Sequence, residues 1–260
     1  MDIGSFNVFS LLNRSLVKTN FFAFDNTNLF WTVPAGVKEI SFFMAASGGG
    51  GSQNAGTCGG AGSVLIVKRM PVFPGMLLGL KYYDGANWLS GLAPGGAFGA
   101  AAANGGDGKA QAFGPSQSPS EPSTTTLLIC RPGQGGQNTG VSGAGGGITN
   151  AVTVGGGKAG VTAAKGLDID GQTDWLDLLE KNVIRVPGAS GASGGHRGGG
   201  SPLVAGGGSG VNGGGGGSSL FGVGGIGSGS PTNGLLGGGG AKITNGGDGF
   251  VVIFWEGKKS

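Results

Sequence analysis

Charged side chains are scarce in this chain of 260 residues. Asp, Glu, Lys and Arg together make up 11% of it, against about 25% in a typical soluble domain. The net charge of +3 is spread thinly, since Lys68-Arg69 and Lys258-Lys259 are the only adjacent basic pairs. Nucleic-acid-binding domains present a clustered basic face, so the sequence predicts no nucleic-acid partner.

Histidine and cysteine, which supply most metal ligands and many nucleophiles, are almost missing. His196 is the only histidine, and Cys58 and Cys130 are the only two cysteines. A zinc site would need carboxylates to complete its ligands, and two cysteines do not make a disulfide framework. We expect two buried or free thiols, because cysteine behaves as a small hydrophobic residue.

Carboxylates cluster only between Asp168 and Glu180. Asp168-Ile-Asp170-Gly171 resembles the opening of a calcium loop, but the ligands required further along are missing. A solvated helix start is the simpler interpretation. The sequence therefore predicts a protein that is not an enzyme, with no catalytic residue, no metal site and no cofactor.

Long apolar runs are also missing. No run of about 20 apolar residues occurs, as a membrane-spanning helix would require. The first apolar stretch is interrupted by polar residues such as Asn7, Ser10 and Arg14, and it follows the acidic Asp2. A signal peptide has an uninterrupted apolar centre and a basic start, so we expect neither a signal peptide nor a transmembrane segment.

Glycine, in contrast, is abundant, with 65 residues. All but Gly4, Gly36 and Gly257 lie between Gly48 and Gly249. Glycine loses more backbone freedom on folding than any other residue. The region therefore either remains a flexible linker or gains something specific from the missing side chains.

Apolar residues among the glycines argue against an open linker, which would be rich in Ser and charges. Between residues 188 and 249 only Arg197, Lys242 and Asp248 are charged. Collagen is excluded because strict Gly-X-Y triplets are missing and the chain has only 11 prolines. We favour a bundle of polyglycine II helices, whose backbones pair N–H with C=O and add Cα–H···O contacts. A mostly disordered region is the alternative.

β-rich runs frame this region. Residues 28–47 (LFWTVP, then VKEISFFMAA) and residues 62–83 each predict a hairpin, with turns at Ala35-Gly36 and Pro74-Gly75. The run FVVIFW at 250–255 is typical of a central strand. We predict a β-sandwich over residues 28–260, whose first and last strands lie side by side, with the glycine-rich insertion at about 84–249.

Three segments interrupt the glycine pattern. Gln111–Ser123 is rich in Pro and Ser and predicts an exposed loop, and Thr124–Cys130 predicts a strand. Thr173–Lys181 predicts one short α-helix, with Thr173 as its cap, Asp174 in its first turn and leucines along one side.

Residues 1–27 are apolar and poor in glycine. Their apolar side must be buried, either on the domain that follows or on a partner. We interpret them as an attachment arm that docks onto another subunit, with a strand of the same domain as the alternative.

The strand and glycine motifs resemble those of the glycine-rich domain of bacteriophage tail proteins. The matching stretches are WTVPAGVKEISFFMAASGGGG, GGAGSVLIVKRMPVFPGMLLGLKYYDG and the closing GGDGFVVIFW, within about Asn28 to Glu256. The resemblance implies an all-β, jelly-roll-like (TNF-like) β-sandwich that carries packed polyglycine II helices. Such domains occur at the tips of tail fibres, including T-even-type adhesins, and in the extracellular part of some receptor kinases. The helix at Thr173–Lys181 is not part of that pattern.

Recognition of a partner is expected from aromatic and polar residues between the glycine runs, since loops on a rigid scaffold commonly carry binding residues. The candidate receptor-binding residues are Trp88, Trp175, His196, Arg197 and Phe221, with Phe98 and Phe113 as further aromatics. Packing against the bundle surface is the alternative for each of them.

Two functions follow from the resemblance. The first is a virion tail protein at a tail-fibre or tail tip, which binds a receptor on the bacterial surface. Residues 1–27 would attach it to other tail or fibre proteins, as a homotrimer or as a cap on a trimeric fibre. The second is a purely structural virion component, in a baseplate, a collar or a capsid decoration.

Overall fold

The computed structural model describes residues 19–53, 57–100, 103–115, 128–146, 183–192, 215–227 and 231–256. Within these ranges the chain is all-β, without a helix. The ten strands are β1 (Thr19–Ala23), β2 (Phe30–Thr32), β3 (Glu39–Ala45), β4 (Val64–Pro71), β5 (Leu77–Tyr83), β6 (Trp88–Ser90), β7 (Ala110–Pro115), β8 (Leu128–Cys130), β9 (Val183–Val186) and β10 (Phe250–Glu256).

The strands form two antiparallel sheets. Sheet 1 has the order β1-β10-β3-β4-β9, and sheet 2 has the order β2-β5-β7-β8, with β6 also pairing with β5. The apolar run at 250–255 is central, as predicted, because β10 lies between β1 and β3. The beginning and end of the described chain therefore lie side by side, from Thr19 opposite Glu256 to Ala23 opposite Val252.

The hydrophobic core lies between the two sheets. Along β3, Ile40, Phe42 and Met44 face this core, while Ser41 and Phe43 face the other side of sheet 1. Sheet 2 contributes buried apolar side chains that include Trp31, Leu78, Leu80, Phe113 and Leu128. A fully buried side chain of this kind stabilises the fold by about 1.5–3 kcal/mol.

Neither of the two predicted hairpins forms. β2 pairs with β5 in sheet 2, whereas β3 pairs with β4 in sheet 1. The segments after Val33 and after Val72 therefore each cross from one sheet to the other, and they cross side by side. Backbone hydrogen bonds join them, from Val33 N to Met76 O (2.9 Å) and from Val72 N to Lys38 O (2.9 Å). Turn signals identify where the chain reverses but not which sheet the next strand enters.

The loop predicted at Gln111–Ser123 is wrong over its first part. Ala110–Pro115 is strand β7, in the interior of sheet 2. Gln111 is buried with its polar atoms satisfied, because its Oε1 accepts from Ala93 N (2.7 Å) and its Nε2 donates to Lys81 O (2.9 Å). The Pro and Ser residues that suggested a loop begin only at Pro115.

Other predicted elements lie partly or wholly outside the described residues. The strand predicted at Thr124–Cys130 is observed as β8, Leu128–Cys130. The predicted helix Thr173–Lys181 and residues 1–18 lie outside. The end of the predicted attachment arm, residues 1–27, belongs to the domain itself, since Thr19–Ala23 is a strand of sheet 1 and Phe24 is buried in the core.

Cys58 and Cys130 are separate buried thiols and are not joined to each other. Burial disfavours a thiolate. It raises the pKa of Cys58 to about 12 and also raises the pKa of Cys130. Both side chains are therefore neutral packing groups.

A bulge distorts the pairing of β3 with β4 between Ile40 and Phe42. Arg69, on the opposite strand, adopts a left-handed backbone conformation with φ 54°. Its N–H donates to Ser41 Oγ (3.2 Å), and its side chain forms an exposed ion pair with Glu39 (3.5 Å). The left-handed region is unfavourable for residues with a Cβ by about 1–2 kcal/mol.

We predict that Arg69→Gly is more stable than Arg69→Ala by about 1 kcal/mol, because both lose the ion pair but only glycine relieves the left-handed strain. Urea denaturation gives the two free energies of unfolding. The same two substitutions at the adjacent exposed Lys68 are the control, where alanine is expected to be the more stable variant. An alanine preference at both positions would contradict the strain at Arg69.

Candidate functional site

The glycine-rich segments form a layer that continues from one end of the two sheets. We call it the glycine layer. It comprises the described residues between β3 and β4, β6 and β7, and those between β8 and β10, which are 46–53, 57–63, 91–100, 103–109, 131–146, 187–192, 215–227 and 231–249. Apart from an isolated bridge between Ser52 and Gly99, these segments do not pair as strands, and turns interrupt several of them.

Hydrogen bonds in the glycine layer repeat every three residues. In the segment 48–52, two N–H groups that are three residues apart donate to the same neighbouring segment. The N–H group of the next residue donates to a different neighbouring segment. The pairs are Gly48 N–Gly247 O (3.0 Å) with Gly51 N–Thr244 O (3.0 Å), Gly49 N–Gly60 O (2.9 Å) with Ser52 N–Thr57 O (2.8 Å), and Gly50 N–Gly106 O (2.9 Å).

The carbonyl groups of the same segment follow the same repeat. They accept from other neighbours, in the pairs Gly96 N–Gly48 O (2.8 Å) with Gly99 N–Gly51 O (2.8 Å), Gly133 N–Ser47 O (3.0 Å) with Gly136 N–Gly50 O (2.9 Å), and Gly240 N–Gly49 O (2.8 Å). The backbone groups of this segment are thus satisfied on all sides by other backbone groups.

The missing side chains are what permit this packing. A Cβ on Gly48, Gly49 or Gly50 would overlap the carbonyl oxygen of Gly238, Gln134 or Ala97 respectively, at separations that real Cβ atoms do not show. The obstacle is backbone in each case, so no rotamer change can remove it. Glycine is therefore a steric requirement of the layer.

The turns at the end of the layer away from the sheets lie close together. We call this end the tip and define it as Gln53 with residues 98–100, 103–104, 137–141 and 241–245. Hydrogen bonds join its turns to each other, from Asn138 N to Asn104 Oδ1 (2.9 Å) and from Phe98 N to Asn245 Oδ1 (2.9 Å). The adjoining residues Ser52 and Thr57 also hold it, since Ser52 Oγ donates to Ala103 O (2.8 Å) and Thr57 Oγ1 donates to Gln137 O (2.7 Å). The tip is thus a set of loops that hold one another in place.

The tip presents a mostly polar surface. Phe98 is 46% exposed and Ile243 is exposed as well, with Asn104, Gln137 and Asn245 around them. Lys242 is half-buried. Such a surface can bind a partner through a few apolar contacts and through amide hydrogen bonds.

Of the predicted recognition residues, the structure describes Trp88 and Phe221, and it does not bring these two together. Trp88 is half-buried in β6, where the sheets meet the glycine layer, and its ring lies 5.3 Å from that of Tyr83. Phe221 packs on the other side of sheet 1, with its ring 5.2 Å from Phe43. Trp175, His196 and Arg197 lie outside the described residues.

Two further aromatic candidates have opposite outcomes. Phe113 is fully buried between the sheets, so its proposed recognition role is wrong. Phe98 is at the tip. The sequence did not predict a role for Ile243 or for the nearby amide of Asn245. Their position between glycine runs was the only feature of the sequence that could have indicated an exposed turn.

Carboxylates in and beside the glycine layer accept backbone N–H groups. Asp107 accepts from Gly135 (2.8 Å), and Asp248 accepts from Gly95 (2.8 Å). The N–H groups of Asn87 and Ala86 hold the pKa of Asp84 below its usual range. The described residues contain no group of three His, Cys, Asp or Glu side chains placed to hold a metal ion. In the same ranges, no helix has the length and hydropathy needed to cross a membrane.

The sequence matches no protein-family model and no curated protein.

Gly105 and Gly106 provide a direct test of the backbone packing. A Cβ on Gly105 would overlap Gly50 O, whereas a Cβ on Gly106 would lie 3.2 Å from its nearest neighbour, Ala97 N. We predict that Gly105→Ala lowers the free energy of unfolding by at least about 3 kcal/mol, because neither backbone can move aside. Gly106→Ala, the matched control, should change it by less than about 1 kcal/mol.

Chemical denaturation of both variants measures this difference. Similar small effects at the two positions would mean that the segments are not packed backbone against backbone.

Proposed function

We propose that the glycine layer is a bundle of polyglycine II helices inserted into a jelly-roll-like sandwich. Polyglycine II has three residues per turn, so that successive N–H groups point in three directions. The hydrogen bonds of residues 48–52 have this repeat. Residues 57–63 support the same geometry. The N–H groups of Cys58 and Ala61, three residues apart, donate to the carbonyl groups of Ala192 and Ala189 in one neighbouring segment.

We further propose that the chain is a bacteriophage virion protein at a tail-fibre or tail tip, where it binds a host cell-surface receptor. The observation that carries this proposal is the set of mutually bonded loops at one end of a backbone-packed layer. Loops held in this way lose little conformational entropy on binding. They can also vary in sequence without disturbing the glycines that support them.

The two opposite ends of the molecule fit this role. β1 begins at Thr19, opposite Glu256, at the end of the sandwich away from the glycine layer. A chain that enters there can be attached to the virion while the tip faces outward. Attachment through residues 1–18 to other tail or fibre proteins, as a homotrimer or as a cap on a trimeric fibre, remains part of the proposal.

Recognition by this surface is assigned to Phe98 and Ile243 at the tip, with Trp175, His196 and Arg197 kept as candidates from the sequence. Trp88 and Phe221 have packing partners within the domain, and they support the fold of the layer and of sheet 1.

A structural virion component is the second candidate function. One observation favours it, which is the apolar side of sheet 1 that faces away from the core, where Phe21 is 68% exposed. A surface of that kind is typical of assembly contacts. No enzymatic step is proposed.

Binding of fluorescently labelled protein to a panel of bacterial strains, measured by flow cytometry, tests the receptor function. We predict that Phe98→Ala weakens binding at least about tenfold, because truncating an aromatic anchor commonly costs more than 1.4 kcal/mol. Phe73→Ala is the matched control, since Phe73 is 63% exposed but lies in the crossing segment at the opposite end.

An equal loss in both variants, or normal binding by Phe98→Ala and Ile243→Ala, would exclude the tip as the receptor surface. The structural role would then be the better explanation.

A further inference from the structure

Two side-chain amides of the tip have a fixed orientation. Asn245 Oδ1 accepts from Phe98 N (2.9 Å), and Asn104 Oδ1 accepts from Asn138 N (2.9 Å). A backbone N–H can only donate, so the side-chain atom that faces it is the amide oxygen. Both asparagines are exposed, and their NH₂ groups are therefore turned away from the bonds that hold the loops together.

A third amide, beside the tip, repeats this arrangement. Asn233 is exposed, and its Oδ1 accepts from Asn245 N (3.1 Å). Each of the three amides thus uses its oxygen within the protein and keeps the two N–H donors of its NH₂ group for a ligand. The exposed groups of these side chains are donors rather than acceptors.

Phe98 lies between these amides. Asn245 holds its N–H on one side. On the other side the chain turns back, so that a Cβ on Gly99 would overlap the carbonyl oxygen of Asn104. Phe98 is 46% exposed. An exposed aromatic ring is therefore flanked by outward amide donors.

This combination matches the chemistry of a sugar ring. The face of an aromatic ring carries negative charge density, and it attracts the polarised C–H groups on one face of a sugar. The hydroxyl and acetamido oxygens around the edge of the sugar accept hydrogen bonds from N–H donors. A saccharide can therefore use the ring and the amides of the tip together.

The composition of the tip fits a protein partner less well. Hot spots of protein interfaces are enriched in Trp, Tyr and Arg. The described residues that define the tip include none of these three types, and Phe98 is their only aromatic residue. Lys242 is their only charged residue and is half-buried, so the tip offers little charge for steering a protein partner.

We propose that the tip binds a saccharide of the bacterial surface. The ring of Phe98 packs on a sugar face, and the NH₂ groups of Asn104 and Asn245 donate to sugar oxygens. Few rotamers are lost on binding, because the same amides already bond the loops to each other. This inference rests on the proposed receptor function and gives the chemical class of the receptor, with a protein receptor as the competing possibility.

Substitution of asparagine by aspartate tests the donors without removing the internal hydrogen bonds. A carboxylate oxygen accepts a backbone N–H as an amide oxygen does, so Asn245→Asp and Asn104→Asp should retain the tip. Each replaces the outward NH₂ group with an oxygen that cannot donate. Asn26→Asp is the matched control, since Asn26 is exposed and accepts from Leu92 N (3.3 Å) but lies outside the tip.

The probes are surface polysaccharides extracted from the strains of the cell-binding panel, and the same polysaccharides after periodate oxidation are the negative control. Biolayer interferometry measures their binding to the full chain. We expect the original chain to bind the polysaccharide of a strain that it labels. Asn245→Asp and Asn104→Asp should each weaken this binding at least about tenfold, and Asn26→Asp should change it less than about twofold.

Thermal unfolding shows whether the variants are folded, and Phe98→Ala replaces any that is not. Cell labelling without binding to any extracted polysaccharide would overturn the saccharide inference and leave the receptor function standing. Equal polysaccharide binding by the original chain and the tip variants would also overturn it. Failure to bind any strain and any polysaccharide would overturn the receptor function and this inference with it.

Discussion

The structure depends on one steric constraint, the contact of backbone with backbone in the glycine layer. Each segment approaches its neighbours so closely that a Cβ at Gly48, Gly49 or Gly50 would overlap a carbonyl group. This proximity lets every third N–H reach the same neighbour. The scarcity of charge follows from it, since backbone groups that satisfy one another need few ionic partners, and the nearby Asp107 and Asp248 serve as acceptors for glycine N–H groups.

The same constraint separates the scaffold from the surface. Inside the layer the buried side chains are mostly small, such as those of Ser52, Cys58 and Ala61, so chemical variety is concentrated in the turns at the tip and on the outside of the sheets. Asn104 and Asn245 lie at this boundary, where their amide oxygens hold neighbouring loops together. Phe98, whose N–H is held by Asn245, is exposed beyond them. Exposed side chains of the tip such as Phe98 can therefore change without any change in the glycines that support the tip.

Local patterns in the sequence predicted part of this arrangement. The apolar run of β10 predicted a central strand, because six adjacent β-branched and aromatic residues need burial on both faces. The turns at Gly36 and Gly75 were located, but the pairing of β2 with β5 depends on contacts between distant segments, which no local signal encodes. For the same reason β7 was mistaken for a loop. The tip was not predictable, since Ile243 and Asn245 acquire their neighbours only through the packing of the layer.

The glycine layer also requires the sandwich. Ordering a residue costs about 1–2 kcal/mol of backbone entropy, and more for glycine, whereas a backbone hydrogen bond contributes about 0.5–1.5 kcal/mol. Hydrogen bonding alone therefore does not balance the ordering of the layer. The strands supply the difference, because β3, β4, β7 and β10 hold the ends of the glycine segments at fixed positions. The hydrophobic core thus stabilises a layer that contains almost no hydrophobic core of its own.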